Sequence, residues 1–348
     1  MSVKKWLVLC FFISFCFIFI IFIIFMFNFK VDSLGIISSD KNFLARAAFE
    51  LENGKIVARM QDYDDRILTK HRLNHATVKA KTIAIGSSRT MLVTKNMFSK
   101  KFIPFKNYTV SGDYVAITQI YLDKFNKFPE NIIIGVDPWI FNFYNGQIRF
   151  VFIYDEYQKM LEKLAIKSKD NKNKIFKNFL YLFSLEYAIK NYNNMDLNFY
   201  ISNTIQIDDF VIDTDGARYN KIRSLNPEKV KHEAVAYTKG DVYGLVNFKN
   251  IERELFEKFI IFLQENGINV YIYLLQYHPY VYDFLSQNAK YKIINDIEKY
   301  LIEFAKDKNI KLFGSHNPHI LNLDDSYFID GMHPLQEAYF KIFTDLFK

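Results

Sequence analysis

The pattern of apolar and polar positions divides the chain into three parts. Residues 6–27 form an unbroken apolar run of about 22 residues, which is long enough to cross a bilayer as a helix. Residues 30–80 follow as a polar connector with one amphipathic stretch, residues 43–60. From residue 81 onward, short apolar runs alternate with helical periodicities, and this alternation predicts βαβ units and a parallel sheet.

These periodicities predict an α/β fold. The predicted strands cover residues 82–86, 107–111, 131–136, 268–275 and 310–313, and the predicted helices cover residues 90–98, 115–128, 251–266, 288–309 and 335–347. We therefore expect a three-layer α/β/α sandwich with a mostly parallel five-stranded sheet, preceded by one transmembrane helix. Residues 140–250, approximately, break the rhythm and are predicted to be an insertion into a domain of residues 81–348. The insertion either shapes a pocket or is a structural elaboration.

The apolar run predicts a single membrane anchor. Lys4 and Lys5 precede it, so the positive-inside rule makes residues 1–29 a cytoplasmic tip and transmembrane signal anchor and exports the rest. A cleaved signal peptide is the alternative, but its apolar region is about 7 to 15 residues long and ends in small residues. Bulky side chains such as Phe27 occupy the exit here, which favours an uncleaved anchor.

Composition narrows the chemistry of the exported part. Cys10 and Cys16 both lie inside the apolar run, so the exported part has no disulfide and no thiolate site. The 45 basic and 38 acidic residues give a net charge of +7, and the lysines are scattered rather than clustered. This indicates a mild attraction to anionic surfaces, and we expect no nucleic-acid partner.

The stretch Gly86-Ser87-Ser88 is the first candidate site. An apolar strand ends in Gly86 and a helical pattern begins directly after it, so a hydroxyl stands at the carboxyl end of a strand. Ligands of open α/β sheets bind at that edge. Free N–H groups and the positive end of a helix dipole there would suit an oxyanion. The alternative is a tight turn in which a serine serves only as the N-cap.

Asp330 and His333 form the second candidate site, in the turn before the last predicted helix. Their spacing lets the carboxylate reach the imidazole and fix its tautomer, and a histidine oriented in this way can act as general base toward a serine hydroxyl. With Ser88, the chain order is Ser, Asp, His, one of several orders in which this triad occurs.

With these residues the chain resembles the SGNH (GDSL-like) hydrolase superfamily. The matching blocks, in family order, are Gly86-Ser87-Ser88, Gly112, Gly135-Val136-Asp137 and Asp330-Gly331-Met332-His333, over roughly residues 80–140 and 250–348. The resemblance implies that Ser88 is the nucleophile, His333 its base and Asp330 the residue that orients His333. It also implies that the backbone N–H groups of Ser88 and Gly112 stabilise an oxyanion, and that no cofactor is needed.

Two positions depart from the family pattern. Ser87 replaces an Asp, and Asp137 stands where the family has an oxyanion-donating Asn. Because an ionised carboxylate repels an oxyanion, Asp137 is protonated, or points away, or the oxyanion hole has only two donors.

Four further residues are candidates for binding. Arg89 either binds an anionic group of the substrate or makes a structural ion pair. His278 follows the fourth predicted strand and either reaches the substrate or is a satisfied loop histidine. His316 and His319 are spaced like a metal pair, but a third ligand is not evident in the sequence and we expect no metal.

The Gly-Ser-Ser-Arg variant, the Asp-Pro-Trp after the third strand and the single anchor resemble a membrane-anchored branch of the superfamily. That branch includes the D-alanyl transfer protein of teichoic acid modification and acetyl-transfer proteins of exopolysaccharide assembly. The resemblance implies an esterase or acyltransferase on the outer side of a bacterial inner membrane, acting on a cell-envelope glycan beside a multispanning acyltransferase. A non-catalytic docking module is the alternative, and a glycosidase with paired carboxylates fits poorly.

Overall fold

The computed structural model describes residues 2–33, 43–60, 63–110, 113–142, 152–167, 180–194, 199–205, 210–219, 226–240, 245 and 248–343. In chain order the helices are α1 (Val3–Val31), α2 (Phe43–Glu52), α3 (Asp65–His75), α4 (Tyr114–Phe125), α5 (Tyr154–Lys163), α6 (Leu185–Asn194), α7 (Pro227–Lys239), α8 (Glu254–Glu265), α9 (Pro279–Gln287), α10 (Ile293–Asp307) and α11 (Gln336–Phe343). The strands are β1 (Ile56–Ala58), β2 (Thr82–Ile85), β3 (Phe105–Asn107), β4 (Asn131–Val136), β5 (Tyr200–Ser202), β6 (Val211–Ile212), β7 (Arg218–Tyr219), β8 (Asn269–Leu274) and β9 (Lys311–Gly314).

A five-stranded parallel sheet forms the centre of the protein, as the sequence predicts. Its strand order is β3-β2-β4-β8-β9, and every neighbouring pair is parallel. All residues of β2 and β4 are buried, which explains why these strands read as continuous apolar runs rather than as alternating patterns. Parallel strands end at a common edge, so the residues that follow β2, β4 and β8 are brought together there.

Each face of this sheet carries its own apolar cluster. Ile83, Ile132 and Ile272 point to the face covered by α4, α8, α9 and α10. Ala84 and Tyr273 point to the opposite face, where α11 and the turns after β2 pack. Burial of each such large side chain contributes roughly 1.5 to 3 kcal/mol, so the two clusters are the main reason the sheet is stable.

The segment predicted as a connector is folded. It supplies α2, α3 and β1, and β1 joins three short strands of the insertion in a second sheet of order β5-β1-β6-β7. These pairings are antiparallel, with Val57 opposite Ile212 and Ala58 opposite Tyr200. Leu51, Val57 and Ile212 share an apolar cluster with Tyr187 of α6. The connector and the insertion therefore pack against each other.

The prediction of a helix over residues 90–98 is wrong. The chain instead makes short 3-10 turns at Ser88–Thr90 and Lys95–Met97. The reason lies in β3, where the side-chain amide of Asn107 donates to the carbonyls of Thr90, Met91 and Val93 at 2.9 to 3.3 Å. Those carbonyls have no need of a continuing helix, and the helix-dipole argument for the oxyanion does not apply.

The amino-terminal helix α1 is long and apolar enough to span a membrane by length and composition. Its helical bounds extend beyond the predicted run by a few residues at each end. Helix α9 was not predicted, since the sequence pattern placed the next helix only at residues 288–309.

Candidate active site

Ser88 lies where β2 ends and the first 3-10 turn begins. The side chain of the buried Ser87 caps that turn by accepting from the N–H of Arg89 at 3.3 Å. A Cβ added to Gly86 would lie 2.7 Å from the carbonyl oxygen of Gly135, so only glycine lets the chain turn this close to β4. Ser87 therefore holds the turn, and Ser88 presents its hydroxyl.

The structure brings Ser88, His333 and Asp330 together in one hydrogen-bonded series. Ser88 Oγ lies 3.1 Å from Nε2 of His333. Nδ1 of His333 lies 2.9 Å from Oδ2 and 3.1 Å from Oδ1 of Asp330. This is the arrangement in which an imidazole takes a hydroxyl proton while a carboxylate holds its tautomer and orientation.

The loop that carries Asp330 is held by its own hydrogen bonds. Oδ1 of Asp330 accepts from the N–H groups of Met332 and His333 at 2.7 and 2.8 Å. Burial on its own raises the pKa of Asp330, but the hydrogen bonds and charge of His333 outweigh it, and the pKa lies below its usual value. Asp330 is thus ionised at neutral pH, as an orienting carboxylate must be.

Arg89 and Asp137 are buried together behind Ser88. Both side chains are 1% exposed and form an ion pair. The same guanidinium donates to the carbonyls of Leu275 and Gln276 and stacks over the ring of Tyr277, 4.2 Å from its centroid. Arg89 therefore makes the structural ion pair that was one of its two predicted roles. The carboxylate of Asp137 points at Arg89. Of the possibilities left open for Asp137, the structure therefore supports the one in which this side chain points away from the oxyanion.

His278 is fully buried and caps α9. Its Nδ1 accepts from the N–H of Tyr280 at 3.1 Å, and its Nε2 lies 3.5 Å from Asp325. Burial lowers its pKa, although Asp325 and Asp330 oppose the shift. His278 does not line the cavity beside Ser88. Its Nδ1 is satisfied at the start of α9, whereas its buried Nε2 makes no hydrogen bond within the described residues.

The remaining predicted residues are placed apart from Ser88 or outside the described residues. Gly112 lies outside the residues that the structure describes. His316 donates from Nδ1 to the carbonyl of Leu275 at 2.8 Å, whereas Nε2 of His319 lies 2.8 Å from Asp283. The two histidines thus have separate partners. Within the described ranges, no group of three metal-ligating side chains stands together.

Ser88 and His333 line a cavity of about 370 Å³. Its other lining residues are Met60, Tyr63, Asp65, Met91, Leu92, Phe210, Arg218, Ile329 and Tyr339. Three of these come from the connector and two from the insertion, so both segments form walls of the site. A volume of this size is at the lower end of the range for small-molecule sites.

The sequence analysis did not identify the charged wall of this cavity. Arg218 forms an ion pair with Asp65 and lies over the ring of Tyr63, 5.7 Å from its centroid. Burial on its own lowers the pKa of Arg218, but Asp65, Tyr63 and Asp64 together outweigh burial, so the pKa of Arg218 lies above its usual value. Asp65 begins α3 and Arg218 lies in β7, so the pair joins residues that are far apart in sequence.

Comparison of the chain with protein-family models, with curated proteins and with solved structures finds no match. The chemistry that the site can perform is therefore inferred from its geometry. A serine hydroxyl, an imidazole and a carboxylate in series, beside a cavity, can transfer an acyl group through a covalent intermediate.

Proposed function

We propose that this protein is a membrane-anchored, SGNH-like serine esterase or acyltransferase. The observation that carries the proposal is the hydrogen-bonded series Ser88, His333 and Asp330 at the mouth of a cavity. The parallel order of the sheet supports it, because Ser88 follows β2 and the Asp330 turn precedes α11, as the resemblance requires. The finer three-layer α/β/α architecture belongs to the same proposal.

The proposed reaction runs through an acyl-serine. Ser88 Oγ attacks the carbonyl carbon of an ester while His333 Nε2 takes its proton, and Asp330 stabilises the imidazolium. The resulting oxyanion is held by the backbone N–H of Ser88, which has no partner within the described part of the chain. His333 then returns the proton to the leaving alcohol, and water or an acceptor hydroxyl releases the acyl group from Ser88.

The substrate class is a cell-envelope glycan that carries ester-linked acyl groups. Aromatic and apolar walls such as Tyr63 and Phe210 suit a sugar face or an acyl chain, and the cavity is large enough for either. We propose that α1 anchors the domain on the outer side of a bacterial inner membrane, where a multispanning acyltransferase would supply the acyl group. No cofactor is required by this chemistry.

The test is covalent labelling with a serine-directed fluorophosphonate, together with turnover of a model acetyl ester. Ser88→Ala and His333→Ala should each abolish both signals. Ser87→Ala is the matched control, since it removes only a cap worth about 1 kcal/mol and should keep most of the labelling. The double variant should be scarcely worse than either triad variant alone, because triad members act as a unit.

Labelling that survives Ser88→Ala would contradict the assignment of the nucleophile. A wild-type protein that neither labels nor turns over an ester would instead favour the alternative, a non-catalytic module that docks on an acyltransferase or an envelope polymer.

A further inference from the structure

The carboxyl end of α1 is firmly docked on α6 of the insertion. The side chain of Asn28 is fully buried, and its amide donates to the carbonyls of Leu182 and Ser184 at 2.8 and 3.0 Å. Asn191 of α6 donates back to Asn28 at 3.0 Å. Tyr187 of α6 donates to Asp32 at 2.7 Å. These hydrogen bonds therefore hold the carboxyl end of the anchor helix against the domain.

With α1 as the proposed anchor, this contact lies close to the point where α1 leaves the bilayer. A hydrocarbon span of about 20 residues that begins at Trp6, next to the lysines, ends near Phe25. The ring of Phe25 stacks on Phe183, two residues before the start of α6, with 4.9 Å between ring centroids. The start of α6 is thus held beside the end of the membrane span.

Helix α6 also carries an exposed apolar face. Leu185, Ile189 and Tyr192 share one side of the helix by their spacing, and they are 62%, 54% and 69% exposed. Glu186 and Lys190 lie on a different side and pair with each other at 3.6 Å. The side that holds Tyr187 and Asn191 packs on α1. The helix therefore has one docked, one polar and one apolar side.

We infer that the apolar face of α6 lies in the interfacial layer of the membrane into which α1 is inserted. This inference rests on the proposed membrane anchor. A helix with an apolar and a polar side, fixed at the point where a membrane span ends, buries its apolar side at the boundary of headgroups and acyl chains. Leu185 stands nearest the span, and the tyrosine at the far end suits the headgroup level, where such rings concentrate.

The lipid surface is favoured over a protein partner because the start of α6 is held against Phe25 and Asn28, at the end of the proposed membrane span. Two attachments, one spanning and one interfacial, would fix the orientation of the domain. The second sheet and the cavity wall at Met60 and Phe210 would then be held at a set height above the bilayer.

The experiment places an environment-sensitive fluorophore on single cysteines of the full chain in nanodiscs, after Cys10→Ala and Cys16→Ala. The probe sites are Leu185→Cys and Ile189→Cys. Ile302→Cys is the matched control, because Ile302 is an isoleucine on the surface of α10 with 49% exposure. A fourth probe at Ile13→Cys reports insertion of α1 itself.

We expect brominated acyl chains to quench both α6 probes about twofold, since an interfacial helix lies about 5 to 10 Å into the boundary layer. The Ile302 probe should respond to aqueous iodide only. If the Ile13 probe is quenched by bromolipid and the α6 probes respond only to iodide, the anchor stands and this inference is overturned. Protection of the α6 probes from both quenchers would show that a protein surface covers them, which also overturns it. An unquenched Ile13 probe would overturn the anchor and the inference together.

Discussion

Asp330 is the residue whose charge the proposed mechanism depends on most directly. Asp330→Asn keeps an oxygen for the N–H groups of Met332 and His333 but removes the negative charge beside the imidazole. We expect fluorophosphonate labelling at neutral pH to slow by about four orders of magnitude, the loss seen when a comparable triad carboxylate becomes an amide. A labelling rate close to wild type would contradict an orienting role for Asp330.

The same residue predicts a pH dependence of stability. Because the pKa of Asp330 in the folded protein lies below its ordinary value of 3.8, the unfolded chain binds more protons in the acidic range. The stabilisation is present above that pH and is lost as the pH falls through the folded pKa. Urea unfolding below about pH 5 should therefore show a steeper loss of stability for the wild type than for Asp330→Asn.

The buried pair of Arg89 and Asp137 predicts a structural effect of mutation. Asp137→Asn leaves the guanidinium uncompensated in a dry site, so we expect a loss of about 3 to 5 kcal/mol in the free energy of unfolding. Labelling of the protein that remains folded should persist. The control is Glu130→Gln, which breaks the exposed pair with Lys81 and should cost less than about 1 kcal/mol. A collapse of labelling in folded Asp137→Asn would instead reveal a chemical role.

At the level of single residues, the sequence predicted the triad better than its surroundings. Asp330 and His333 are neighbours in the chain, so their contact follows from local geometry. The contact between Arg89 and Asp137 joins the ends of two different strands. Read alone, Arg89 left a substrate contact and a structural ion pair open, and Asp137 left its protonation and its direction open. Ser88 and His333 also meet only through tertiary packing, and the resemblance of their sequence blocks paired them; the Arg89 and Asp137 contact had no such guide.

Among the elements, β3 controls the segment that carries Ser88. Asn107→Ala would leave the buried carbonyls of Thr90, Met91 and Val93 without their side-chain donor, at a cost of about 1 to 3 kcal/mol. Because this segment follows directly from Ser88, we expect labelling to slow as well as stability to fall.

A matched control exists at the amino end of β4, the central strand of the same sheet. Asn131 is also buried, and its amide donates to Thr82 at 3.1 Å, far along the strand from Ser88. Asn131→Ala should lower stability by a similar amount while the labelling rate of the folded protein is kept. Equal losses of labelling in both variants would show that Asn107 has no special link to the site.

Long apolar elements were predictable, and short ones were not. The strands β4 and β8 appear in the sequence as apolar runs and lie within one residue of the predicted bounds at each end. The strands of the second sheet contain two or three residues each, too few to show a period. The helix expected after Ser88 failed because a side chain from β3 competes for its carbonyls.

On the scale of the whole molecule, three parts of the chain meet at one buried arginine. Arg72 of α3 donates to Glu52 of α2 at 3.0 Å and to the carbonyl of Asn107 in β3 at 2.8 Å. The N–H of Asn107 donates to the carbonyl of Asp215 in the insertion at 2.6 Å. The connector, the central sheet and the insertion are thus coupled next to the segment that carries Ser88.

Gly216 tests this coupling. It has φ +91°, and an added Cβ would lie 2.4 Å from Arg72 Nη1 and 2.3 Å from the carbonyl oxygen of Asn107. Gly267 has φ +74°, and a Cβ added there would meet no atom within 4 Å. Gly267→Ala should therefore lower the free energy of unfolding only by the conformational penalty of roughly 1 to 2 kcal/mol. Gly216→Ala must also displace Arg72 or Asn107, and we expect a clearly larger fall in the melting temperature together with slower labelling of Ser88. If the insertion were instead an independent elaboration, the two variants would melt alike and label at the wild-type rate.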